Sequence, residues 1–157
     1  MNWDVAIAVS EIIGAAAVVV TLIYLAVQVR QNTNALKATS YRSAKTEFNH
    51  VNMAIAQSNE LPQILDKAFV SMEQLAPDER IRAGLMWLSY TNIWETLFHE
   101  MRDSVGHDEF WKAEERTIKE ILTMPGYREW WKENSYGGTA DFRDHIDQLL
   151  VATESLK

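Results

Sequence analysis

The chain has 157 residues, of which 47% are hydrophobic and 24% are charged, and its formal net charge at pH 7 is -7. This length predicts one modest domain with an attachment, and the composition is typical of a folded chain. The acidic balance argues against nucleic acid as a partner, because neutralising phosphates requires a basic surface. The chain has no cysteine, which excludes disulfides, thiolate metal sites and a cysteine nucleophile.

The first element along the chain is an apolar run that predicts a transmembrane helix. Residues 12–29 carry no charge, and a helix of about 20 apolar residues crosses a hydrocarbon layer about 30 Å thick. Their strongly apolar side chains favour insertion by about 3 to 6 kcal/mol in total, more than the roughly 2.5 to 3.5 kcal/mol that one central acid costs. We therefore predict a single membrane span within residues 1–31, rather than a buried helix or a cleaved signal peptide, whose start would be basic.

A cluster of basic residues after the apolar run predicts the orientation of the span. The cluster consists of Arg30, Lys37, Arg42 and Lys45, and no acid lies between its ends. Because basic residues are retained on the cytoplasmic side, we expect the N-terminus outside the cell inner membrane and residues 32–157 in the cytoplasm. The same side chains are candidates for binding anionic lipid head groups, at about 1 kcal/mol each close to the surface.

Polar and small residues of the apolar run share one side of the predicted helix. This polar stripe, spaced alternately three and four residues apart, includes Glu11, Gly14, Thr21 and Gln28, and Ser10 lies beside it. Polar groups in lipid normally face protein or water, so the stripe predicts association between helices or, alternatively, a narrow pore. A second interpretation stays open, in which Glu11 lies at head-group depth and Thr21 bonds its own backbone.

The rest of the chain predicts an all-α body, a cytoplasmic bundle of about five helices over residues 32–157. Residues 32–57 contain no Gly or Pro and continue the membrane helix. Asn59 is the predicted cap of the next helix, which has Pro62 in its first turn. The third helix is predicted to begin at "APDER" (76–80), and the fourth begins at "GHDEFW" (106–111) and ends near Thr123. A short helix is predicted after the turn in "MPGYREWW" (124–131), and Thr139 is the predicted cap of the last helix.

Two of these helices carry apolar faces whose burial is a further expectation. Apolar residues on two sides of the third helix predict that it is central and covered twice; they are Ile81, Leu85 and Leu88 on one side and Trp87, Trp94, Phe98 and Met101 on the other. The last helix has one apolar face, predicted to include Phe142, Ile146, Leu149, Val151 and Leu156.

Patterns that carry chemistry are mostly missing from the sequence. No phosphate loop, dinucleotide glycine pattern or nucleophile elbow is present. The best carboxylate–histidine pair is Glu95 and His99, and the possible second pair is Asp141 and His145. The residues of each pair are four apart, whereas the two Glu-x-x-His motifs of a di-iron bundle have a spacing of three. We therefore predict no enzyme activity, no cofactor and no metal.

The aromatic and acidic residues of the body have a structural and a functional interpretation. Tryptophans at helical spacing are usually core, yet they also form ligand pockets or partner grooves; the candidates are Trp87, Trp94, Trp130 and Trp131. The acids of the later helices are predicted to form a solvated face; they include Glu114, Glu115, Glu120, Glu129 and Glu133.

Four stretches of the sequence resemble one family of proteins. They are "EIIGAAAVVVTLIYLAVQVRQNTNAL" (11–36), "LAPDER" (75–80), "MPGYREWW" (124–131) and "DFRDHIDQLL" (141–150). Together they resemble a group of small bacterial membrane proteins common in marine proteobacteria, and the likeness covers almost the whole chain. The resemblance implies a single-pass membrane protein with a helical cytoplasmic domain, and it implies no catalytic residue.

Three functions are compatible with these observations. The first is a membrane-anchored, non-enzymatic helical module that self-associates or serves as an accessory or scaffold subunit of a membrane assembly. The second is a homo-oligomeric pore lined by Glu11, Thr21 and Gln28. The third is an anchored small-ligand sensor or enzyme that uses the aromatic pocket or the pair of Glu95 and His99. Expected partners are membrane lipid and either a second copy of the chain or another membrane protein, and not nucleic acid.

Overall fold

The computed structural model of the protein describes residues 3–101 and 108–154. Its helices, in chain order, are α1 (Trp3–Gln57), α2 (Leu61–Val70), α3 (Pro77–Met101), α4 (Asp108–Leu122), α5 (Pro125–Asn134) and α6 (Ala140–Glu154). Short 3-10 turns occupy Met72–Gln74 and Ser135–Gly137. No strand occurs in the described residues, and the predicted all-α fold with a long apolar helix at its start is confirmed.

The chain divides into two compact units. The N-terminal unit is Met1–Thr39 and the C-terminal unit is Ser40–Lys157. Helix α1 contributes residues to both units, whereas α2 to α6 belong to the C-terminal unit. The boundary that the sequence predicts, after residue 31, lies earlier in α1.

The N-terminal unit is a helix whose apolar side chains are uncovered. Its large apolar residues are about half or more exposed, with Ile12 at 69% and Leu25 at 50%. None of the most apolar window of this helix is buried, and it is the one helix of the described residues that is long and apolar enough to cross a membrane. A core helix of a soluble protein buries such side chains, so this surface does not resemble a core helix.

Helix α3 supplies the centre of the core of the C-terminal unit. Helices α2 and α4 pack against α3, α5 packs against α2 and α4, and α6 packs against α4. The buried side chains of α3 include Ala83, Trp87, Trp94, Leu97 and Phe98. The other helices add Ala44, Phe48, Ile64, Leu65, Ala68, Trp111, Ile118, Leu122, Tyr127, Trp130, Trp131, Phe142, Ile146 and Leu149. The core is therefore rich in aromatic rings, which contribute large buried areas and specific packing geometries.

Proline and a carboxylate define where α3 begins. Pro77 stands at the first helical position, where a missing N–H costs no helical hydrogen bond. The backbone N–H of Ala76 donates to Oε2 of Glu79 over 3.0 Å, as in a capping box. This hydrogen bond, helped by one from Lys67, lowers the pKa of the Glu79 carboxyl below its usual value. The predicted start of this helix is confirmed. Helix α5 begins at Pro125, the second residue of the stretch 124–131 in which the sequence predicts a turn and then a helix.

The start of α2 differs from the prediction. The helix begins at Leu61, and Glu60 at its cap position makes no side-chain cap. Instead the Ser58 hydroxyl accepts hydrogen bonds from the backbone N–H groups of Glu60 at 3.3 Å and Leu61 at 3.1 Å. The prediction of Asn59 as the cap was wrong, because the hydroxyl one residue earlier already satisfies these donors.

Two predicted apolar faces are only partly covered. On α3 the side with Ile81, Leu85 and Leu88 is exposed, so the prediction of two covered faces was wrong for this side. On α6, Val151 is exposed although Ile146 is buried. The sequence pattern shows that a face is apolar, but it does not show whether another element covers it. The predicted core residue Leu156 lies outside the described residues, as does the first part of "GHDEFW".

Helix α5 approaches the end of α2 closely at Gly126. A Cβ at this position would lie 1.8 Å from the carbonyl oxygen of Ala68. One turn later, Oε2 of Glu129 accepts hydrogen bonds from the backbone N–H of Met72 at 2.8 Å and from the Ser71 hydroxyl at 3.1 Å. Close contact and hydrogen bonds therefore hold α5 to the end of α2.

Candidate functional site

A cavity of about 500 Å³ lies in the C-terminal unit, among the last turns of α1 and helices α2 to α5. Its lining consists of Lys45, Phe48, Asn49, Asn52, Ile55, Leu65, Phe69, Trp87, Tyr90, Trp94, Glu114, Thr117, Ile121 and Tyr127. The exposed residues Lys45, Asn49 and Asn52 form its rim, and the buried Trp87 and Trp94 form its floor. This volume falls in the range of about 300 to 1,000 Å³ that is typical of small-molecule sites.

The floor of the cavity is an aromatic surface positioned by α3. The ring of Trp87 lies 5.3 Å from that of Tyr127 and 6.3 Å from that of Phe69. The ring of Trp94 lies 5.9 Å from that of Tyr90. Two residues seven apart return to nearly the same side of a helix after about two turns, so α3 presents both indoles to one cavity.

Two indole N–H groups of this floor have no acceptor within residues 3–101 and 108–154. Nε1 of Trp87 and Nε1 of Trp94 are buried and have no hydrogen-bond partner among the described residues, and each residue is 2% exposed. Trp131 shows the usual arrangement for a buried indole, because its Nε1 donates to Oδ1 of Asp147 over 3.0 Å. A buried donor without an acceptor costs about 1 to 3 kcal/mol. Both nitrogen atoms are fully buried behind the cavity surface.

Charge at the cavity is confined to one ion pair. Nζ of Lys45 donates to Oε1 of Glu114 over 2.5 Å, and Glu114 is 4% exposed. Partial burial acts to lower the pKa of Lys45, but the hydrogen bond and the charge of Glu114 raise it above its usual value. Since the other described lining residues are uncharged, the cavity wall is neutral.

Neutral donors and acceptors complete the lining. The Tyr90 hydroxyl donates to Oδ1 of Asn52 over 2.5 Å, and the hydroxyls of Thr91 and Tyr127 are 2.9 Å apart. Burial raises the pKa of Tyr90 and of Tyr127. Both phenols therefore stay protonated at neutral pH and act as uncharged groups.

The burial of Glu114 corrects the prediction of a solvated acidic face. Glu129 also departs from it, because its carboxylate binds the end of α2. Glu115 lies beside Nζ of Lys119 at 2.6 Å and Nε2 of His145 at 3.5 Å. Several of these partners belong to other helices, so the charge pattern of α4 and α5 alone does not reveal them.

The structure separates the tryptophans singled out in the sequence, all of which are buried. Trp87 and Trp94 line the cavity. Trp130 lines a second depression of about 770 Å³, where charged residues such as Arg80 contribute. Trp131 lines neither of these two. Half of the predicted aromatic set therefore belongs to the candidate site.

In the N-terminal unit, members of the polar stripe find partners within α1. Oγ1 of Thr21 donates to the carbonyl oxygen of Ala17 over 2.8 Å, and Nε2 of Gln28 donates to the Tyr24 hydroxyl over 3.0 Å. Neither Thr21 nor Gln28 needs a second helix to satisfy these donors. The other candidate residues, Ser10, Glu11 and Gly14, are exposed on α1. A Cβ at Gly14 would meet nothing within 4 Å.

The basic residues predicted to bind lipid head groups have different surroundings. Arg30 and Arg42 are exposed, and Lys37 is half-buried. The ammonium of Lys45 is paired with Glu114 inside the C-terminal unit. Arg30, Lys37 and Arg42 are therefore the stronger candidates for contact with lipid.

Glu95 and His99 lie where α6 begins. The backbone N–H of Thr139 donates to Oε1 of Glu95 over 2.7 Å, and Oγ1 of Thr139 lies 2.8 Å from Nε2 of His99. The pair itself is 3.9 Å apart. No group of three or more His, Cys, Asp or Glu side chains able to hold a metal occurs within residues 3–101 and 108–154. The pair therefore joins α3 to the start of α6.

Comparison with known proteins adds no relative to this description. No family model, no curated protein and no solved structure matches the chain. The interpretation of the cavity and of the apolar helix therefore depends on their own geometry and chemistry.

The sequence indicated the two indoles of the cavity but not the residues around them. Asn49 and Asn52 follow Lys45 at spacings of four and three, which places all of them on one side of α1, and this pattern was an available signal. Glu114 and Tyr127 had no such signal, because contacts between different helices bring them to the cavity.

Proposed function

We propose that this chain is a single-pass, membrane-anchored helical module without enzymatic activity. The observation that supports the anchor is the exposure of the apolar side chains of α1, none of which is buried in its most apolar window. Covering a side chain such as Ile or Leu is worth about 1.5 to 3 kcal/mol, so leaving this surface in water is unfavourable. A bilayer removes that cost without requiring any other part of the chain.

The proposed orientation places the N-terminus outside the cell inner membrane and the C-terminal unit in the cytoplasm. Arg30 follows the apolar run directly, and Lys37 and Arg42 follow within a few turns. Such residues are retained on the cytoplasmic side, and anionic lipid there attracts them.

An accessory or scaffold role within a membrane assembly is the proposed task of the C-terminal unit. The exposed apolar side of α3, formed by Ile81, Leu85 and Leu88, supports it. Contiguous apolar patches on a folded surface are typical of contact with another protein or with a membrane. The pore hypothesis has less support, because Thr21 and Gln28 already bond within α1.

Single introduced thiols test both the anchor and its orientation, since the chain has no cysteine. Asp4→Cys and Lys132→Cys, at exposed positions of the two units, are treated with a membrane-impermeant maleimide in spheroplasts. We expect labelling of Asp4→Cys at once and of Lys132→Cys after permeabilisation, with both proteins staying in the membrane after an alkaline wash. The reverse labelling pattern contradicts the orientation, and release by the wash contradicts the anchor.

A further inference from the structure

We propose that the groove between α3 and α5 binds an amphipathic helix of another protein. The groove is the depression of about 770 Å³ that Trp130 lines. This inference rests on the accessory role proposed for the exposed apolar side of α3, and it names the kind of partner that this side receives. Three properties of the groove support it: its exposed apolar floor, the unpaired charges at its rim and its concave shape.

The floor of the groove is apolar, and a partner can reach it. Ile81, Leu85 and Leu88 line the groove from α3 and are 64%, 58% and 40% exposed. The 3-10 turn after α5 adds Tyr136, which is 77% exposed. Removing apolar surface from water is the dominant favourable term in most protein–protein association. These side chains are therefore available as the main source of affinity.

The spacing of the apolar residues on α3 matches a helix that lies along it. Leu85 and Leu88 follow Ile81 at spacings of four and three, so all of them lie on one side of α3. From Ile81 to Leu88 this side extends about 10 Å, at about 1.5 Å per residue. That length corresponds to about two turns of a partner helix, whose own apolar anchors lie at i, i+3 or i+4, and i+7.

A helix covers this floor at less cost than an extended segment. The backbone N–H and C=O groups of an extended segment would lose water against apolar side chains without gaining hydrogen bonds. The part of the chain that the structure describes has no strand whose edge could pair with them. A helix satisfies most of its own backbone groups, so it avoids this cost.

The charges at the rim of the groove are unpaired, in contrast to those on the flank of α3 that faces α2. On that flank Arg82 pairs with Glu60, and Lys67 pairs with Glu79 at 3.0 Å. At the groove, four exposed charged side chains form no ion pair with any residue of 3–101 and 108–154; they are Glu73, Arg80, Lys132 and Glu133. A partner with acidic and basic residues beside its apolar side can pair with both signs, and such pairs determine orientation and specificity more than affinity.

The same charges argue against a bilayer as the occupant of the groove. The cytoplasmic leaflet is negatively charged and attracts basic side chains. Around this floor two acids stand with two bases, so a lipid surface would repel as many of the side chains as it attracts. A protein surface that carries both signs has no such conflict.

The concave shape argues against a second copy of the chain. In a two-fold contact the same surface of both copies meets, and one depression cannot fill another. A convex helix fills a groove, as in other helix-in-groove contacts. The occupant is therefore a helix of a different protein, with an apolar side flanked by both signs of charge.

Photo-crosslinking in native membranes identifies the occupant. A photoreactive benzoylphenylalanine replaces Leu85 in the full-length chain, and a second variant carries it at Ile81. The control carries it at Val151, which is exposed on α6 and lies outside the described lining of the groove. We expect a light-dependent adduct with one protein from both groove positions and not from Val151. Peptide mapping should locate this adduct in a segment with helical apolar spacing and both signs of charge.

Any other crosslinking result overturns the groove proposal. Such results are an adduct between two copies, an adduct with lipid alone, a protein segment without this pattern, and equal adduct yield at Val151. A protein adduct at Val151 alone would leave the accessory role in place but move its surface. No protein adduct at any of these positions would contradict the accessory role as well, while the thiol labelling tests the anchor separately.

A synthetic peptide of the captured segment then measures the contact. It is titrated against the full-length chain in lipid nanodiscs by fluorescence anisotropy, with empty nanodiscs as the reference for partition into lipid. Leu85→Ala is expected to weaken binding at least about fivefold, and Lys132→Glu about 2- to 5-fold. A peptide with an acid changed to lysine should restore binding to Lys132→Glu.

Arg116→Glu is the matched control for the charge reversal, because Arg116 is exposed on α4 and lies outside the described lining of the groove. Its affinity for the peptide should equal that of the wild type. Unchanged affinity in Leu85→Ala, or an equal loss in Arg116→Glu and Lys132→Glu, contradicts the proposal.

Discussion

At Gly126, one added methyl group would prevent the close packing of α5 against α2. In Gly126→Ala the new Cβ would lie 1.8 Å from a backbone oxygen of Ala68, and a backbone atom cannot turn aside as a flexible side chain does. We expect a loss of about 3 kcal/mol in the free energy of unfolding, at the upper end of overpacking costs. Chemical denaturation in detergent, followed by circular dichroism, measures it.

Gly137→Ala is the matched control, because a Cβ at Gly137 meets nothing within 4 Å. Its expected effect is within about 0.5 kcal/mol, as for other surface substitutions. Equal stability of the two variants would show that the close approach of α5 to α2 is wrong.

Lys45 is the second residue whose substitution is expected to lower the free energy of unfolding. In Lys45→Met the buried carboxylate of Glu114 loses its ion-pair partner, which costs about 1 to 3 kcal/mol at pH 7. Replacing both, as Lys45→Met with Glu114→Gln, should restore part of the loss because the buried charge is gone. Unfolding of the single and double variants measures this, with the exposed Lys132→Met as control.

The pH dependence of this pair follows from the raised pKa of Lys45. A group whose pKa is raised in the folded state contributes stability that is present below its unfolded value and is lost as the pH rises through the folded one. The stability difference between wild type and Lys45→Met should therefore hold at neutral pH and shrink above about pH 10.5, the ordinary lysine value. A difference that is constant to higher pH would contradict the pairing.

Among the elements, the start of α3 has an acid-sensitive contact. The pKa of Glu79 is lowered by the backbone N–H of Ala76 and by Lys67, so its contribution is present above the unfolded pKa near 4.5 and is lost as the pH falls below it. Glu79→Gln should thus be less stable than wild type at pH 7, and the gap should narrow toward pH 3. The exposed Glu133→Gln is the control, and an equal narrowing there would contradict the assignment.

The sequence predicted where elements begin better than it predicted what covers them. Pro77 starts a helix for a local reason, the fixed backbone angle and missing N–H of proline, and this predicted start is confirmed. Ile81 and Trp87 lie on the same helix with similar apolar character, yet one is exposed and the other is buried. That difference depends on which helices pack against α3, and local pattern does not contain it.

The composition of the cavity, like the burial of α3, depends on contacts between helices that the local sequence does not reveal. Trp87 and Trp94 were candidates from their spacing, whereas the burial of Glu114 depends on Lys45, which is 69 residues away in the chain. Absence of a hydrogen-bond acceptor for an indole is a property of its whole surroundings. Sequence reasoning therefore found side chains with the right chemistry and could not determine which of them share one cavity.

For the molecule as a whole, the proposed self-association concerns the side of α1 that carries the polar stripe. Gly14 is open to a close neighbour, and small residues on one side permit close approach of membrane helices. We expect the detergent-solubilised wild type to be oligomeric by light scattering corrected for bound detergent, and Glu11→Leu with Gly14→Leu to be monomeric. The control is Ile12→Leu with Ile23→Leu, on the opposite side of the helix.

A monomeric wild type would contradict self-association through this stripe. Glu11 would then lie at head-group depth, and the exposed apolar side of α3 would remain as the surface for another membrane protein.

The rings of Trp87, Tyr127 and Trp130 form a triangle with sides of 5.3, 5.5 and 5.8 Å, and its corners belong to two helices. Chromophores this close couple their electronic transitions, so light absorbed by one is shared with the others. The near-ultraviolet circular dichroism of the protein, which depends on fixed aromatic packing, therefore includes a contribution from the contact of Tyr127 and Trp130 on α5 with Trp87 on α3. The chain contains its own spectroscopic reporter of tertiary structure, and no added dye is needed to follow it.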